Sequence, residues 1–229
     1  MDRVGLLKTS LLDFPGKVAA VIFTPGCNLR CPWCHNPKLV QAPYDPDLLP
    51  LQEVLEFLER RRSVLGGVAV TGGEPLYHQD LADFLCSIRR MGYAIKLDTN
   101  GTYPKRLEEL DPDLVEYVAM DVKNAPSCYS RSSGLPVLPS VLRQSLDILE
   151  RRWKDSCELR LTWVPGLNTF EELAELAEFV GKELPMIVTG FRPGPCLDAA
   201  WNSVRAATPA EVQRVVETLL QLGVRARVR

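Results

Sequence analysis

Residues 18–34 of the chain read VAAVIFTPGCNLRCPWC. The apolar run from Val18 to Phe23 is rich in β-branched residues, so it predicts a buried strand. Three cysteines, Cys27, Cys31 and Cys34, follow that strand closely. Thiolates at this density bind iron–sulfur clusters or zinc. Because a closed site has four protein ligands, three cysteines predict a metal centre with one coordination position open to another ligand.

Two other interpretations of the cysteines stay open from the residues alone. A structural zinc site needs a fourth ligand, but His35 is adjacent to Cys34 and His78 is distant in the sequence. A disulfide would leave one thiol over and would need an oxidising compartment. The remaining cysteines show no ligand spacing, and buried cysteine often acts as a small hydrophobic residue; they are Cys86, Cys128, Cys157 and Cys196.

Composition and charge narrow the class of protein. With 229 residues, 46% of them hydrophobic, the chain can bury one large core, and we expect a single domain over residues 1–229. A net charge of −2 favours neither nucleic acid nor an anionic membrane as a partner. No apolar run is long enough for a membrane span, and residues 1–5 lack a signal-peptide pattern. We therefore expect a cytoplasmic protein with reduced thiols.

Buried strands and amphipathic helices alternate along the sequence. Six short runs rich in Val, Ile and Leu predict strands: Val18 to Phe23, Val68 to Thr71, Ala94 to Asp98, Val115 to Asp121, Cys157 to Val164 and Met186 to Phe191. Strand–helix repetition predicts a parallel sheet with crossovers. Eight such units would close a TIM barrel, so about six units predict an α/β fold with an open, partial TIM-like barrel.

The helices between these strands carry apolar residues at helical spacing. They are predicted around residues 51–58, 81–88, 104–110, 142–153, 173–180 and 212–219. Capping boxes at Thr169 with Glu172, and at Thr208 with Glu211, mark the start of the last two helices. The stretch from Asn36 to Pro50, with four prolines, is expected to be an ordered surface loop.

Polar motifs follow several of the predicted strands, at the edge where parallel sheets gather ligands. Each motif alone is compatible with ordinary turn chemistry, but together they mark one edge of the sheet. Arg160 lies within an apolar strand and needs a carboxylate partner, because an unpaired buried charge is costly. The candidate site residues are Gly72, Gly73 and Glu74, then Asp98 and Thr99, then Asp121 and Lys123, and finally Arg160.

These motifs resemble those of a known family. The Cys-x3-Cys-x2-Cys spacing with Trp33 before the last cysteine is similar to the signature of the radical S-adenosylmethionine (SAM) enzymes. With residues 13–16 (DFPG), 71–75 (TGGEP), 97–101 (LDTNG) and 120–123 (MDVK), the order resembles that of glycyl radical enzyme activating enzymes. The resemblance runs from Gly5 to Gly166, and residues 5–10 most resemble the anaerobic ribonucleoside-triphosphate reductase activating proteins.

The resemblance implies cofactors, a reaction and partners. Cys27, Cys31 and Cys34 are expected to hold three irons of one [4Fe–4S] cluster, whose fourth iron binds SAM. Reductive cleavage of SAM is expected to give a 5′-deoxyadenosyl radical that takes a hydrogen atom from a glycine of a partner glycyl radical enzyme. Flavodoxin or ferredoxin is the expected low-potential electron donor. Without a cysteine-rich insert, no auxiliary cluster is expected.

The resemblance also implies roles for the motif residues. Gly72, Gly73 and Glu74 are expected to present backbone to the SAM amino group, and Lys123 and Arg160 to lie near its polar ends. Trp33 is expected against the adenine, or else to pack the loop. A further set is expected around a monovalent cation beside the SAM carboxylate; it comprises Asp98, Thr99 and Asp121.

Alternatives of other classes remain. Residues 190–196 contain no histidine of the kind found near SAM in the pyruvate formate-lyase activase, which favours the reductase activase over that near relative. A radical SAM enzyme that acts on a small molecule, similar to 7-carboxy-7-deazaguanine synthase, would share the SAM motifs. A non-enzymatic zinc or electron-transfer protein is the more distant alternative.

Overall fold

Nine strands lie in the part of the chain that the computed structural model describes, residues 1–41 and 47–229. They order as β3-β1-β2-β4-β5-β6-β7-β8-β9 in an open, mostly parallel sheet. The strands are β1 Arg3–Ser10, β2 Ala19–Thr24, β3 Leu49–Pro50, β4 Gly67–Gly72, β5 Ala94–Thr99, β6 Tyr117–Asp121, β7 Cys157–Trp163, β8 Pro185–Gly190 and β9 Arg225–Val228.

Helices connect the parallel strands. Short 3-10 turns precede some of them, as at residues 170–172 before the seventh helix. The α-helices are α1 Pro37–Gln41, α2 Leu51–Arg60, α3 Leu81–Arg90, α4 Pro104–Glu109, α5 Tyr129–Ser133, α6 Pro139–Arg152, α7 Leu173–Val180 and α8 Pro209–Gln221. This β/α alternation is the α/β class that the sequence predicts.

The described residues pack as two compact units, and the boundary between them falls inside β6. The first unit comprises residues 1–28, 38–99 and 105–118. The second comprises residues 29–37, 100–104 and 119–229. Each unit is described separately below.

In the first unit, β2, β4 and β5 are parallel neighbours, with Ala69 level with both Val21 and Lys96. Strand β1 runs antiparallel to both β2 and β3. The apolar faces of α2 and α3 are buried, as their helical spacing requires. The turn before β2 places the ring of Phe14 in a small core with Ala19 and Ala94.

In the second unit, β7, β8 and β9 are parallel, and α8 packs against β8 and β9. Both expected capping boxes are present. Thr208 Oγ1 accepts a hydrogen bond from the Glu211 amide, and Glu211 Oε2 accepts one from the Thr208 amide. The box at Thr169 with Glu172 closes the same way ahead of α7. These side chains satisfy helix N–H groups that have no partner inside the helix.

The six predicted strands are all confirmed, with ends that agree within two residues. Three strands are additional: β1, β3 and β9. The expected loop from Asn36 to Pro50 is partly wrong, because α1 and β3 lie within it; its residues 42–46 lie outside the described part of the chain. Strand β1 escapes a sequence pattern because its apolar and polar residues do not alternate cleanly, with only Val4 fully buried.

No helix in residues 1–41 or 47–229 is both long enough and apolar enough to cross a bilayer.

Candidate functional site

The cysteine loop begins in the first unit with Cys27 and continues in the second with Cys31 and Cys34. All three carry free thiols. The amide of Cys34 donates to the Cys31 carbonyl at 3.0 Å, so these two cysteines flank a tight turn. Within the described ranges, no group of three His, Cys, Asp or Glu side chains is arranged around a common metal position. The three-cysteine ligand set therefore stays a prediction.

Close backbone packing in the second unit supports the middle of this loop. The amide of Arg30 donates to the Ser133 carbonyl at 2.9 Å. At Gly134, φ is +72° and a Cβ would lie 1.9 Å from the Arg30 carbonyl oxygen, so only glycine fits there. The buried indole of Trp33 donates from Nε1 to the Ser132 carbonyl at 3.0 Å. The end of α5 thus fixes the loop between Cys27 and Cys34.

A second segment, after β8, pairs with the end of the cysteine loop. The amide of Leu197 donates to the Cys34 carbonyl, and the amide of Asp198 donates to the Pro32 carbonyl, both at 2.9 Å. These backbone bonds constrain the main chain on either side of Trp33. They depend on no particular side chain at residues 197 and 198. No sequence motif could therefore predict them.

His35 contacts the loop after β8, which has no histidine of its own. Its ring stacks on Phe191 with centroids 5.3 Å apart, and its Nδ1 lies 3.8 Å from Cys196 Sγ. Burial, followed by the nearby Cys34, raises the pKa of the Cys196 thiol. Sequence reasoning weighed His35 as a zinc ligand and included it in the motif order of the resembled family, but it did not predict these contacts; its position directly after the cysteine motif was the available signal.

A chain of charges joins Asp121, Lys123 and Arg160 in the second unit. Arg160 Nε donates to Asp121 Oδ1 at 2.8 Å, and Lys123 Nζ donates to Asp121 Oδ2 at 3.3 Å. Asp121 is therefore the carboxylate partner that Arg160 was expected to need. Burial raises the pKa of Asp121, but the charges of Arg160 and Lys123 outweigh burial and lower the pKa to about 2.

Lys123 is held rather than solvated. Its Nζ lies 5.3 Å from the centroid of the Trp33 ring, a cation–π arrangement, and its side chain is largely buried. Burial lowers the pKa of Lys123, but Asp121 and then Cys31 outweigh burial and hold the pKa above its usual value. A permanent positive charge therefore lies beside the cysteine loop.

Tyr129 places a buried hydroxyl in the same neighbourhood. Burial raises the pKa of its phenol. The positive charge of Lys123 opposes this rise, and the nearby Cys31 adds to it. A hydrogen bond with the Lys123 backbone also lowers the pKa in part. Buried polar atoms are rarely left unpaired, and the backbone at Lys123 supplies a partner for this phenol.

In the first unit, Gly72 at the end of β4 and Gly73 directly after it allow a very close backbone approach. The amide of Gly73 donates to the Thr24 carbonyl at 2.8 Å, and the amide of Glu74 donates to the Gly26 carbonyl at 2.9 Å. At Gly73 a Cβ would lie only 1.8 Å from the Gly26 carbonyl oxygen. Gly72 has φ +118°, which side chains disfavour. The motif thus holds the segment that leads into Cys27.

The side chain of Glu74 is committed to the protein. It is fully buried, and its Oε1 accepts hydrogen bonds from the Leu76 amide at 3.0 Å and from Thr99 Oγ1 at 2.8 Å. It therefore caps the 3-10 turn at residues 75–77 and connects the ends of β4 and β5. Glu74 can offer backbone atoms to a ligand while its carboxylate fixes the strand ends.

Lys96 is a charged residue that sequence reasoning missed. Its Nζ contacts Asp98 Oδ1, and both side chains are buried within the first unit. A lysine inside an apolar strand was the available signal, because such a charge needs a partner just as Arg160 does. Asp98 lies at the end of β5, where the sequence places it.

The thiols of the cysteine loop fit an iron–sulfur cluster, and the residues expected around a monovalent cation already have partners within the protein. Three free thiols supply the soft donors that iron–sulfur clusters use. The expected cation residues are each engaged within their own unit: Asp98 by Lys96, Thr99 with Glu74, and Asp121 by two cations.

Residues 21–180 of the chain match the family model described as Radical SAM superfamily. The match covers well over half of the sequence, so the chain belongs to the radical SAM superfamily and is an enzyme of that type. This family carries a [4Fe–4S] cluster and uses SAM. The resemblance drawn from the cysteine spacing is confirmed at this level.

Two relatives cover nearly the whole chain. A Methanocaldococcus jannaschii protein named "Putative glycyl-radical enzyme activating enzyme" is 30% identical over 208 residues, 87% of this chain and 84% of the relative. A 7-carboxy-7-deazaguanine synthase of Thermoplasma acidophilum is 32% identical over 215 residues, 94% of this chain and 86% of the relative.

A solved structure shows the same fold. The crystal structure of Streptococcus suis SuiB bound to S-adenosylmethionine superposes with a TM-score of 0.63 at 14% sequence identity. The similarity covers 91% of this chain and 51% of SuiB. It supports the open α/β architecture.

The close approach at Gly73 yields a test by substitution. We expect Gly73→Ala to lower the free energy of unfolding by about 1–3 kcal/mol, because the added methyl group collides with the Gly26 backbone. Gly66→Ala is the matched control, since a Cβ there meets its nearest atoms at 3.8 Å. Urea denaturation measures both; equal stability of the two variants would contradict the assigned contact.

The depressed pKa of Asp121 predicts a pH dependence. A carboxyl with a lowered folded-state pKa stabilises the fold above its unfolded pKa near 4, and that contribution is lost as the pH falls towards about 2. Since 32% of the side chain is exposed, we expect about 1–2 kcal/mol. The stability gap between wild type and Asp121→Asn should narrow from pH 6 to pH 3 in urea titrations.

Asp155→Asn, at an exposed position, is the control for this titration. Its gap to the wild type should stay small at every pH. A constant gap for Asp121→Asn across the same range would contradict the ion-paired state of Asp121.

Proposed function

We propose that this chain is a glycyl radical enzyme activating enzyme, which cleaves SAM reductively and generates a glycyl radical on a partner protein. The likeness to the Methanocaldococcus jannaschii relative, along 84% of its length, is the observation that carries the proposal. The motif order from residues 13–16 to residues 120–123 supports the same assignment.

Cys27, Cys31 and Cys34 are the proposed cluster ligands. The bound cluster and SAM would supply the electron transfer and hydrogen-atom abstraction, while the protein supplies position and electrostatics. The turn between Cys31 and Cys34 is fixed from two sides, by the end of α5 and by the segment after β8. Such fixation holds Cys31 and Cys34 at a set spacing.

The proposed SAM contacts divide between backbone and charged groups. Gly72, Gly73 and Glu74 would offer backbone oxygens to the SAM amino group, since the amides of Gly73 and Glu74 already donate to other carbonyls. Lys123 and Arg160 would interact with the carboxylate end, with Asp121 holding both cations in place. These contacts would orient SAM without moving a proton.

Trp33 is proposed to lie against the adenine of SAM from a fixed position. Its indole is already anchored by Ser132 and lies under the Lys123 ammonium. A ring held in this way contributes a flat surface without losing rotational freedom on binding. The same contacts also pack the loop, so Trp33 would combine both expected roles.

We propose the anaerobic ribonucleoside-triphosphate reductase as the partner enzyme, with flavodoxin or ferredoxin as the electron donor. Support comes from residues 5–10 and from residues 190–196, which lack the histidine expected of the pyruvate formate-lyase activase. That activase remains the near alternative, because His35 contacts Phe191 in this loop from another part of the sequence.

A small-molecule reaction is the second candidate function. The Thermoplasma acidophilum relative, a 7-carboxy-7-deazaguanine synthase, is 32% identical over 94% of this chain. A synthase of this kind would use the same cluster and SAM residues on a pterin-derived precursor of deazapurines. The two candidates differ in their substrate: the activating enzyme acts on a protein loop, and the synthase acts on a small molecule.

Electron paramagnetic resonance separates the two functions. Reconstituted, dithionite-reduced protein with SAM should produce a glycyl radical doublet on anaerobic reductase, and none on a reductase whose target glycine is alanine. The parallel reaction with the pterin-derived precursor should leave it unchanged. Turnover of that precursor with no protein radical would overturn the activase assignment in favour of the synthase.

The cluster ligands are tested by substitution. We expect Cys31→Ala to lose the brown absorbance and at least about 100-fold of the SAM cleavage rate, because a lost thiolate ligand destabilises the cluster. Cys86→Ala, on α3 and away from the motif, should keep both. Survival of cleavage in Cys31→Ala would show that the cluster is bound elsewhere.

A further inference from the structure

Lys96 and Asp98 form a buried ion pair at the end of a central strand. The two residues lie two positions apart on β5, so their side chains share one face of the sheet. Lys96 Nζ contacts Asp98 Oδ1, and the side chains are only 3% and 9% exposed. Lys96 also lies level with Ala69 of β4, inside the paired part of the sheet.

A buried ammonium is retained only where its charge is matched. Removing a lysine from water is costly, and hydrophobic residues of similar size often give equal or better stability. A charged pair at the carboxyl end of a parallel strand, where such sheets bind ligands, therefore calls for a reason beyond packing. Asp98 itself belongs to the motif that the resemblance connects with a monovalent cation.

The other residues expected around the cation are also engaged by protein groups, each within its own unit. Thr99, next to Asp98, donates its hydroxyl to Glu74 at 2.8 Å. In the second unit, the two oxygens of Asp121 accept separately from Arg160 and Lys123. A potassium or sodium ion takes oxygen ligands, and its approach to Asp98 is opposed by the like charge of Lys96.

We propose that the Lys96 ammonium permanently replaces the monovalent cation, holding Asp98 in place and supplying positive charge towards the SAM carboxylate. Lys96 is then a positioning residue. Its side chain supplies the positive charge that a bound monovalent cation would otherwise supply. The inference rests on the proposed function in that it presumes SAM binding at this edge of the sheet.

The first test replaces potassium chloride with choline chloride at constant ionic strength. The SAM dissociation constant of the reconstituted wild type should change by less than about two-fold, since no bound ion is removed. The melting temperature of the cluster-free wild type should likewise not rise with added potassium or sodium. Saturable stabilisation by either ion, or a five-fold gain in SAM affinity, would reveal a bound cation and overturn the proposal.

The second test removes the ammonium. Lys96→Ala should bind SAM at least ten-fold more weakly in choline chloride, and potassium or methylammonium should restore affinity by occupying the vacated position. Lys96→Arg should stay independent of the salt. Lys105→Ala, at an exposed position, is the matched control and should behave as wild type. Wild-type affinity of Lys96→Ala in choline chloride would overturn the proposal.

A neutral double variant keeps the proposal testable if the Lys96→Ala protein does not fold. Lys96→Ala with Asp98→Asn leaves no unpaired buried charge, so it should fold even where the single variant does not. We expect it to bind SAM at least ten-fold more weakly in both salts; unchanged affinity would reduce the pair to a structural role. A wild type that binds no SAM in either salt contradicts the proposed function. The melting measurements need no SAM, so they test separately whether Lys96 takes the place of a bound cation.

Discussion

The need to match every charge that leaves water governs the inner part of this protein. Asp121 lies between Arg160 and Lys123, Lys96 contacts Asp98, and Glu74 accepts from an amide and a hydroxyl. The carboxylates of Glu74, Asp98 and Asp121 lie at or near the carboxyl ends of β4, β5 and β6, while Lys96 and Arg160 lie within β5 and β7. The surrounding low dielectric strengthens the pairings and makes any unpaired member expensive. The polar edge of each unit is therefore stiff before any ligand arrives.

The sequence predicts those parts of the fold that hydrophobic burial determines. Six central strands and the longer helices follow directly from apolar runs and from spacing of three and four residues, and the caps at Thr169 and Thr208 announce helix starts. Strands β3 and β9 were not readable, because an edge strand buries few side chains and owes its pairing to backbone hydrogen bonds. Strand β1 lies between β3 and β2, but Val4 is its only buried residue, so it also gives no clear pattern.

The site was readable where chemistry demands particular side chains. The cysteine spacing and the glycine pair identified the superfamily, and an arginine in an apolar strand led to its carboxylate partner, Asp121. The contacts of His35 with Phe191 and Cys196 were not readable, because they join residues far apart in sequence. Lys96 could have been found by the argument used for Arg160. It was overlooked because it stands inside a strand assigned on hydrophobicity alone.

The edge strands have a consequence for how the protein behaves at high concentration. An unpaired strand edge is a template for joining another molecule. Here β3 consists of two residues and ends in a proline, which cannot donate to a ladder, while β9 carries arginines at positions 225 and 227. Short length, a missing donor and electrostatic repulsion all discourage intermolecular sheet extension.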